Sequence, residues 1–204
     1  MKFLFSLVVV FAVTAQAIAE DAIQAPKFGY DQPGKFARGK YEFTAGAAAY
    51  FGPFVATHNR PTHNYAIGLF NIGYMLNDVN EWGFARGNFE GIGELFAGAP
   101  FKGSSNYLAG GTLWLRYNFV QPDWDIVPYA QIGAGAGAMD FSQYYYGQIF
   151  QFNLGAAFGF RYFIRPDLAV NLEYRYQHMS NANTGPKNLG VNSQGVMLGI
   201  SWFH

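Results

Sequence analysis

The chain has 204 residues, half of them hydrophobic and 19% aromatic, but only 13% charged. That is roughly half the charged fraction of a typical soluble domain, about 25%, and it argues against a cytoplasmic enzyme. Thirteen Lys and Arg balance thirteen Asp and Glu with no basic run, which excludes a nucleic-acid partner; the absence of Cys excludes disulfides, thiolate metal sites and a cysteine nucleophile.

Residues 3–15 form an apolar run broken only by Ser6 and Thr14, preceded by Lys2 and followed by Ala17-Ile18-Ala19. A basic start, a short apolar core and a small-x-small ending predict a secretory signal peptide over 1–19, cleaved before Glu20. A leader over 20–39 contains Pro26, Gly29, Pro33 and Gly34. From residue 40 to the end the pattern alternates with period two, which predicts strands at about 40–52, 64–76, 83–98, 107–120, 126–139, 148–164, 168–181 and 191–203. Most exceed the five or six residues usual in soluble sheets and suffice to cross a bilayer.

The two faces of these strands differ in chemistry. One carries Glu42, Arg86, Asn88, Glu90, Glu94, Arg116, Asn118, Gln151, Asn153, Arg161, Asn171, Glu173, Arg175 and Gln177; the other carries Phe89, Leu95, Leu113, Leu115, Phe158 and Phe160. Apolar side chains outside and polar ones inside describe a transmembrane barrel, so 40–204 reads as an all-β, eight-stranded antiparallel barrel of outer-membrane type. The four Glu and four Arg should pair in its interior, which eight strands fill with side chains and leave without a pore. Trp82, Trp124 and Trp202 fall at strand ends on the side of the termini, where an aromatic girdle belongs. Short connections at 121–124 and 165–167 share that side. Longer ones at 54–63 and 182–190 should face the cell exterior.

Gly133-Ala134-Gly135-Ala136-Gly137-Ala138 fits a loose dinucleotide-binding pattern but runs on as a strand with no helix after it, so it is read as small residues relieving crowding inside a narrow barrel. His58 and His63 lie in the first outer loop without neighbouring carboxylates and read as solvated loop residues. No metal site and no cofactor are expected.

The end of the seventh strand, Tyr174-Arg175-Tyr176-Gln177-His178-Met179-Ser180-Asn181-Ala182, carries the chemistry. Alternation places His178 and Ser180 on the lipid-facing side, about 6.5 Å apart, with Asn192 and Gln194 facing outward one strand over. Polar groups in lipid are costly unless paired or functional. The plainer account is a bilayer rim, where polar side chains meet headgroups. The seventh strand runs outward from a periplasmic N-terminus, so the pair reaches the outer leaflet, where the local substrate is lipopolysaccharide.

His178-Met179-Ser180-Asn181-Ala182 resembles the H-x-S-N-A motif of the outer-membrane lipid A 3-O-deacylases (PagL), and Asn188 falls where that family has a further Asn. The resemblance extends through 115–119, Pro128-Tyr129, Arg161-Tyr162-Phe163 and on to Tyr176. It implies an eight-stranded barrel whose lipid-facing Ser, His and Glu remove the acyl chain ester-linked at position 3 of lipid A. Asn192 stands where the family has its Glu, and no Asp or Glu follows Glu173. Ser180 is then the nucleophile, His178 its base and Asn192 the group in the acid's place. Asn181 and Asn188 are oxyanion donors by the same resemblance. Arg60, Lys102 and Lys187, in the outer loops, are candidates for holding substrate phosphates. Two readings stay open: a metal-independent deacylase working with an amide, or a catalytically silent barrel that binds lipopolysaccharide or stabilises the membrane. A homodimer is compatible with either.

Overall fold

A computed structural model describes residues 32–52, 62–103, 105–122, 124–141 and 143–204. The expected signal peptide, most of the leader, His58 and Arg60 lie outside the described residues. The elements are a short helix α1 (Gln32–Lys35), β1 (Tyr41–Phe51), β2 (Asn64–Met75), a 3-10 turn (Gly83–Ala85), β3 (Gly87–Lys102), β4 (Ser105–Phe119), β5 (Ile126–Phe141), α2 (Gln143–Tyr146), β6 (Phe150–Arg165), β7 (Leu168–Ser180) and β8 (Val191–Phe203). Each strand pairs antiparallel with its neighbours in sequence, and β8 returns to β1, so the sheet closes and leaves no edge.

The expected strands are present, with a shift around β3. This strand starts at Gly87 rather than 83, because residues 77–86 fold into a compact loop held by the Asn80–Gly87 bridge and by Gly83 at φ +58°. β3 and β4 then extend further at the opposite end and leave only residues 103–104 between them, with Gly103 at φ +112°.

Burial alternates along most of each strand. Leu95, Leu113, Ile132, Leu154, Phe158 and Leu198 stand on the outer wall, while Glu42, Glu90, Arg116, Arg161, Glu173 and Arg175 are fully enclosed. Arg161 donates to Glu42 and, at 3.0 Å, to Glu90; Arg116 lies 3.4 Å from Glu42 and 3.5 Å from Glu90. Arg175 pairs with Glu173 and, at 2.8 Å, with Glu94. Charges removed from water are tolerable only in such mutual company. Arg86 departs from the expected interior pairing: its chain sits at the terminal rim, where it bonds Glu81 at 2.8 Å and the Val120 carbonyl at 2.5 Å. Position 86 precedes β3, so it is outside the alternation that turns Asn88 and Glu90 inward.

The two ends of the interior differ. At the end bearing the termini, Phe36 is completely buried beneath the Arg161 guanidinium, 5.6 Å from its ring centroid, and packs on Phe203 and Phe163. The ordered barrel thus recruits residues just before 40. Trp82, Trp124 and Trp202 are exposed at this end. At the opposite end an apolar cluster fills the lumen, with Tyr50, Tyr65, Leu108, Met139, Tyr146 and Met179 among its members.

Trp114 is the one tryptophan inside, and its space comes from the glycine-rich strand. A Cβ built on Gly133 would lie 2.5 Å from the Trp114 ring, and one on Gly155, in the adjoining strand, would collide with the ring's far edge. Two neighbours crowd the indole, so it cannot swing aside. Gly155→Val is therefore expected to destabilise the barrel by about 1–3 kcal/mol, the usual cost of overpacking. Urea unfolding followed by the gel shift of the folded barrel measures it, and adding Trp114→Leu should recover part of the loss.

Candidate active site

The β7–β8 hairpin brings the polar residues of the outer wall together. His178 pairs in register with Asn192, and Tyr176 with Gln194. Alternation turns Tyr174, Tyr176, His178 and Ser180 outward on β7, and Asn192 and Gln194 outward on β8, all half-buried. His178 Nδ1 lies 2.6 Å from Asn192 Oδ1. An amide oxygen has no proton to give, so the facing ring nitrogen carries the hydrogen, and Nε2 keeps its lone pair. The Tyr176 hydroxyl donates to the same Asn192 oxygen at 3.1 Å. Gln194 is held apart from this group, accepting a hydrogen bond from the Tyr174 hydroxyl at 2.8 Å.

Ser180 follows two positions along the same wall. Among the described residues no hydrogen bond joins its hydroxyl to the His178 ring, a looseness common to nucleophile–base pairs before substrate tightens them. Gly190, at φ +68°, lies against both: a Cβ there would meet His178 Cε1 at 3.2 Å and Ser180 Cβ at 3.8 Å. Only a residue without a side chain combines that backbone with that closeness.

Asn181, next to the serine, is fully buried and organises the loop. Its Nδ2 donates to the Tyr146 carbonyl at 2.9 Å and the Lys187 carbonyl at 2.7 Å, and its Oδ1 accepts from the Asn183 amide at 2.9 Å. Its own backbone N–H goes to Asn188 Oδ1 at 3.1 Å. Its side-chain hydrogens and its amide are thus engaged within the loop. Asn188 is half-buried and uses one Nδ2 hydrogen on Asn183 Oδ1 at 3.0 Å. Ala182 and Asn183 take left-handed backbone, at φ 52° and 62°, which the Asn181 turn compensates.

A second loop supports this one. The chain around α2 docks through the Leu189 amide, which donates to the Tyr145 carbonyl at 3.2 Å, and through Gln148 Nε2 on Thr184 Oγ1 at 2.9 Å. Lys187 Nζ sits 4.1 Å above the Tyr144 ring, beside Asn188. Lys102 is exposed at the end of β3, three strands around the barrel from β8, so these two cations are not brought together. His63 is not the solvated loop residue expected: it is buried against the Tyr146 ring, 5.4 Å between centroids, and burial pushes its pKa down. On the outer wall a groove of about 570 Å³ starts beside Tyr176 and Tyr174 and runs over Ala156, Ala130 and Ile132. Alanines on adjoining strands make it.

Sequence reasoning missed the Tyr176 hydrogen bond and the α2 docking. Once His178 and Asn192 are known to pair, Tyr176 is the diagonal neighbour of Asn192, so register was the missing signal.

A sequence profile described as lipid A 3-O-deacylase (PagL) matches residues 69–201, more than half of the chain. A comparison with curated proteins gives no match. Among solved structures, the chain is similar to the outer membrane enzyme PagL, with TM-score 0.52 and 15% identity, covering 78% of this chain and 97% of that one. It is also similar to Neisserial surface protein A, with TM-score 0.55 and 17% identity, covering 81% and 99%. The N-terminal β-barrel domain of Pseudomonas aeruginosa OprF gives TM-score 0.54 at 15% identity, covering 82% and 98%. At these identities the structural likenesses speak to fold.

Proposed function

The chain belongs to the lipid A 3-O-deacylase (PagL) family, and from that premise we propose that it is an outer-membrane ester hydrolase that removes the 3-O-linked acyl chain of lipid A. The observation that carries this reading is the 2.6 Å contact between His178 Nδ1 and Asn192 Oδ1 on the outer wall, one alternation from Ser180. His178 Nε2 takes the proton of Ser180 Oγ, and the oxygen attacks the acyl carbonyl. The resulting oxyanion is held by the second Nδ2 hydrogen of Asn188 and neighbouring backbone amides. Collapse passes the proton to the departing sugar oxygen and leaves an acyl-serine, which a water deprotonated by His178 then hydrolyses. No metal or cofactor takes part.

The groove beside Tyr176, two alternations along the outer wall from Ser180, gives the acyl chain an apolar bed. Lys187, one residue from Asn188, is the better placed of the two described loop cations for a charge-assisted contact with a lipid A phosphate. With the barrel in a Gram-negative outer membrane and both termini periplasmic, the 181–190 loop faces outside, and the site meets lipopolysaccharide of the outer leaflet.

Mass spectrometry of lipid A from cells with and without the protein tests this. The expected result is the loss of one hydroxyacyl chain when the protein is present. Asn192 favours one competing reading, a silent barrel that binds lipopolysaccharide through the same groove. Unchanged lipid A from cells holding the folded barrel would establish that reading instead.

A further inference from the structure

The amide at Asn192 raises a problem that a carboxylate does not. A carboxylate presents oxygen whichever way it turns, whereas an amide turned over presents NH₂. If Asn192 faced His178 with its nitrogen, Nδ1 would have to accept and the ring proton would sit on Nε2. That is the nitrogen needed to take the proton of Ser180. Shape does not choose between the two orientations, because the amide's oxygen and nitrogen are nearly the same size.

We propose that Tyr176 makes that choice and is a positioning residue of the site, a role that rests on the deacylase reading only for its kinetic consequence. Its hydroxyl reaches Asn192 Oδ1 at 3.1 Å, on the same oxygen that lies 2.6 Å from His178 Nδ1. A phenol is a good donor and a poor acceptor, since its oxygen lone pair is delocalised into the ring. The phenol therefore supplies a donor at that position, the amide places its acceptor there, and His178 Nδ1, facing the same oxygen, takes the proton. Tyr176 arrives by the pleat: it is two residues before His178 on the same wall, diagonal to Asn192 across the β7–β8 pair. At the half-buried outer wall water competes weakly for that oxygen, so the preference is not washed out.

The proposal separates orientation from general support of the hairpin. Tyr176→Phe removes one hydroxyl and keeps the ring. The loss should appear only where an amide stands at 192, because a carboxylate needs no help to present oxygen.

The experiment uses the full barrel refolded in detergent, with the folded fraction read by gel shift, in four forms: the parent, Tyr176→Phe, Asn192→Glu and the double variant. Long-range proton–nitrogen NMR of ¹⁵N-histidine-labelled protein, at a pH where the ring is neutral, reports which nitrogen of His178 carries the proton. Deacylation of purified lipid A reports kcat and KM. In the parent the proton is expected on Nδ1. Tyr176→Phe should shift a measurable share to Nε2 and lower kcat about tenfold, the worth of one such hydrogen bond, with KM little changed. In the Asn192→Glu background the same substitution should leave tautomer and kcat unaltered. An unshifted tautomer in Tyr176→Phe overturns the proposal, and so does an equal loss in both backgrounds, which would mark a structural role. If no form deacylates lipid A, the deacylase reading falls, and the tautomer arm still decides the role of Tyr176.

Discussion

Ser180→Ala and His178→Ala are each expected to lower deacylation of lipid A by about 10³-fold or more, with the double variant little worse than either, because a nucleophile and its base act as a unit. The barrel should not notice. Both side chains stand on the outer wall and no interior ion pair depends on them, so gel-shift folding should remain at the parent level. Chelators should leave the rate unchanged. Rates measured on purified, folded variants with lipid A in detergent decide the matter. Substantial turnover by Ser180→Ala would mean that an activated water makes the attack, and the acyl-serine would have to be abandoned.

The second large effect concerns Asn192. In serine triads, exchange of the acid for its amide can cost about 10⁴ in rate, chiefly by favouring the wrong imidazole tautomer. Here the amide oxygen already faces Nδ1, so orientation is kept. What the amide lacks is negative charge to stabilise the imidazolium that forms when His178 takes the serine proton, a loss felt more beside lipid than in water. Asn192→Glu is therefore expected to accelerate turnover, but by well under the about 10⁴-fold of an acid-to-amide exchange, because most of that figure is the tautomer cost that Asn192 already avoids. Asn192→Leu, which removes the acceptor, should slow it by about 10²-fold. A rate-versus-pH series on the three proteins distinguishes the contributions. If Asn192→Leu matches the parent, the amide plays no orienting part; if folded Asn192→Glu is inert, the silent-barrel reading prevails.

The barrel was legible because period-two alternation survives in every strand, and because the polar face of 40–204 holds residues as costly to bury as Glu90 and Arg161. Those can only point into a shared interior. The loop residues were not legible in the same way. Arg86 sits just outside a strand, where alternation says nothing, and His63 is covered by Tyr146 from a loop far along the chain. The outward His178, Ser180 and Asn192 follow from the pleat alone. The part of Asn181 does not, since its hydrogen bonds go to carbonyls of residues 146 and 187, whose positions depend on how two loops meet.

The interior charges also constrain how such a chain can enter a membrane. Glu42 of β1 meets Arg161 of β6 and Arg116 of β4, and Glu173 of β7 meets Arg175 beside Glu94 of β3. Apart from Glu173 and Arg175, which share β7, these partners are remote in sequence and meet across the lumen of the closed sheet. A half-built sheet would therefore present bare carboxylates and guanidiniums to the hydrocarbon, at several kcal/mol each. Closure of the sheet and its passage into the bilayer are therefore expected to be coupled, because each buried charge finds its partners only as the wall curls around it.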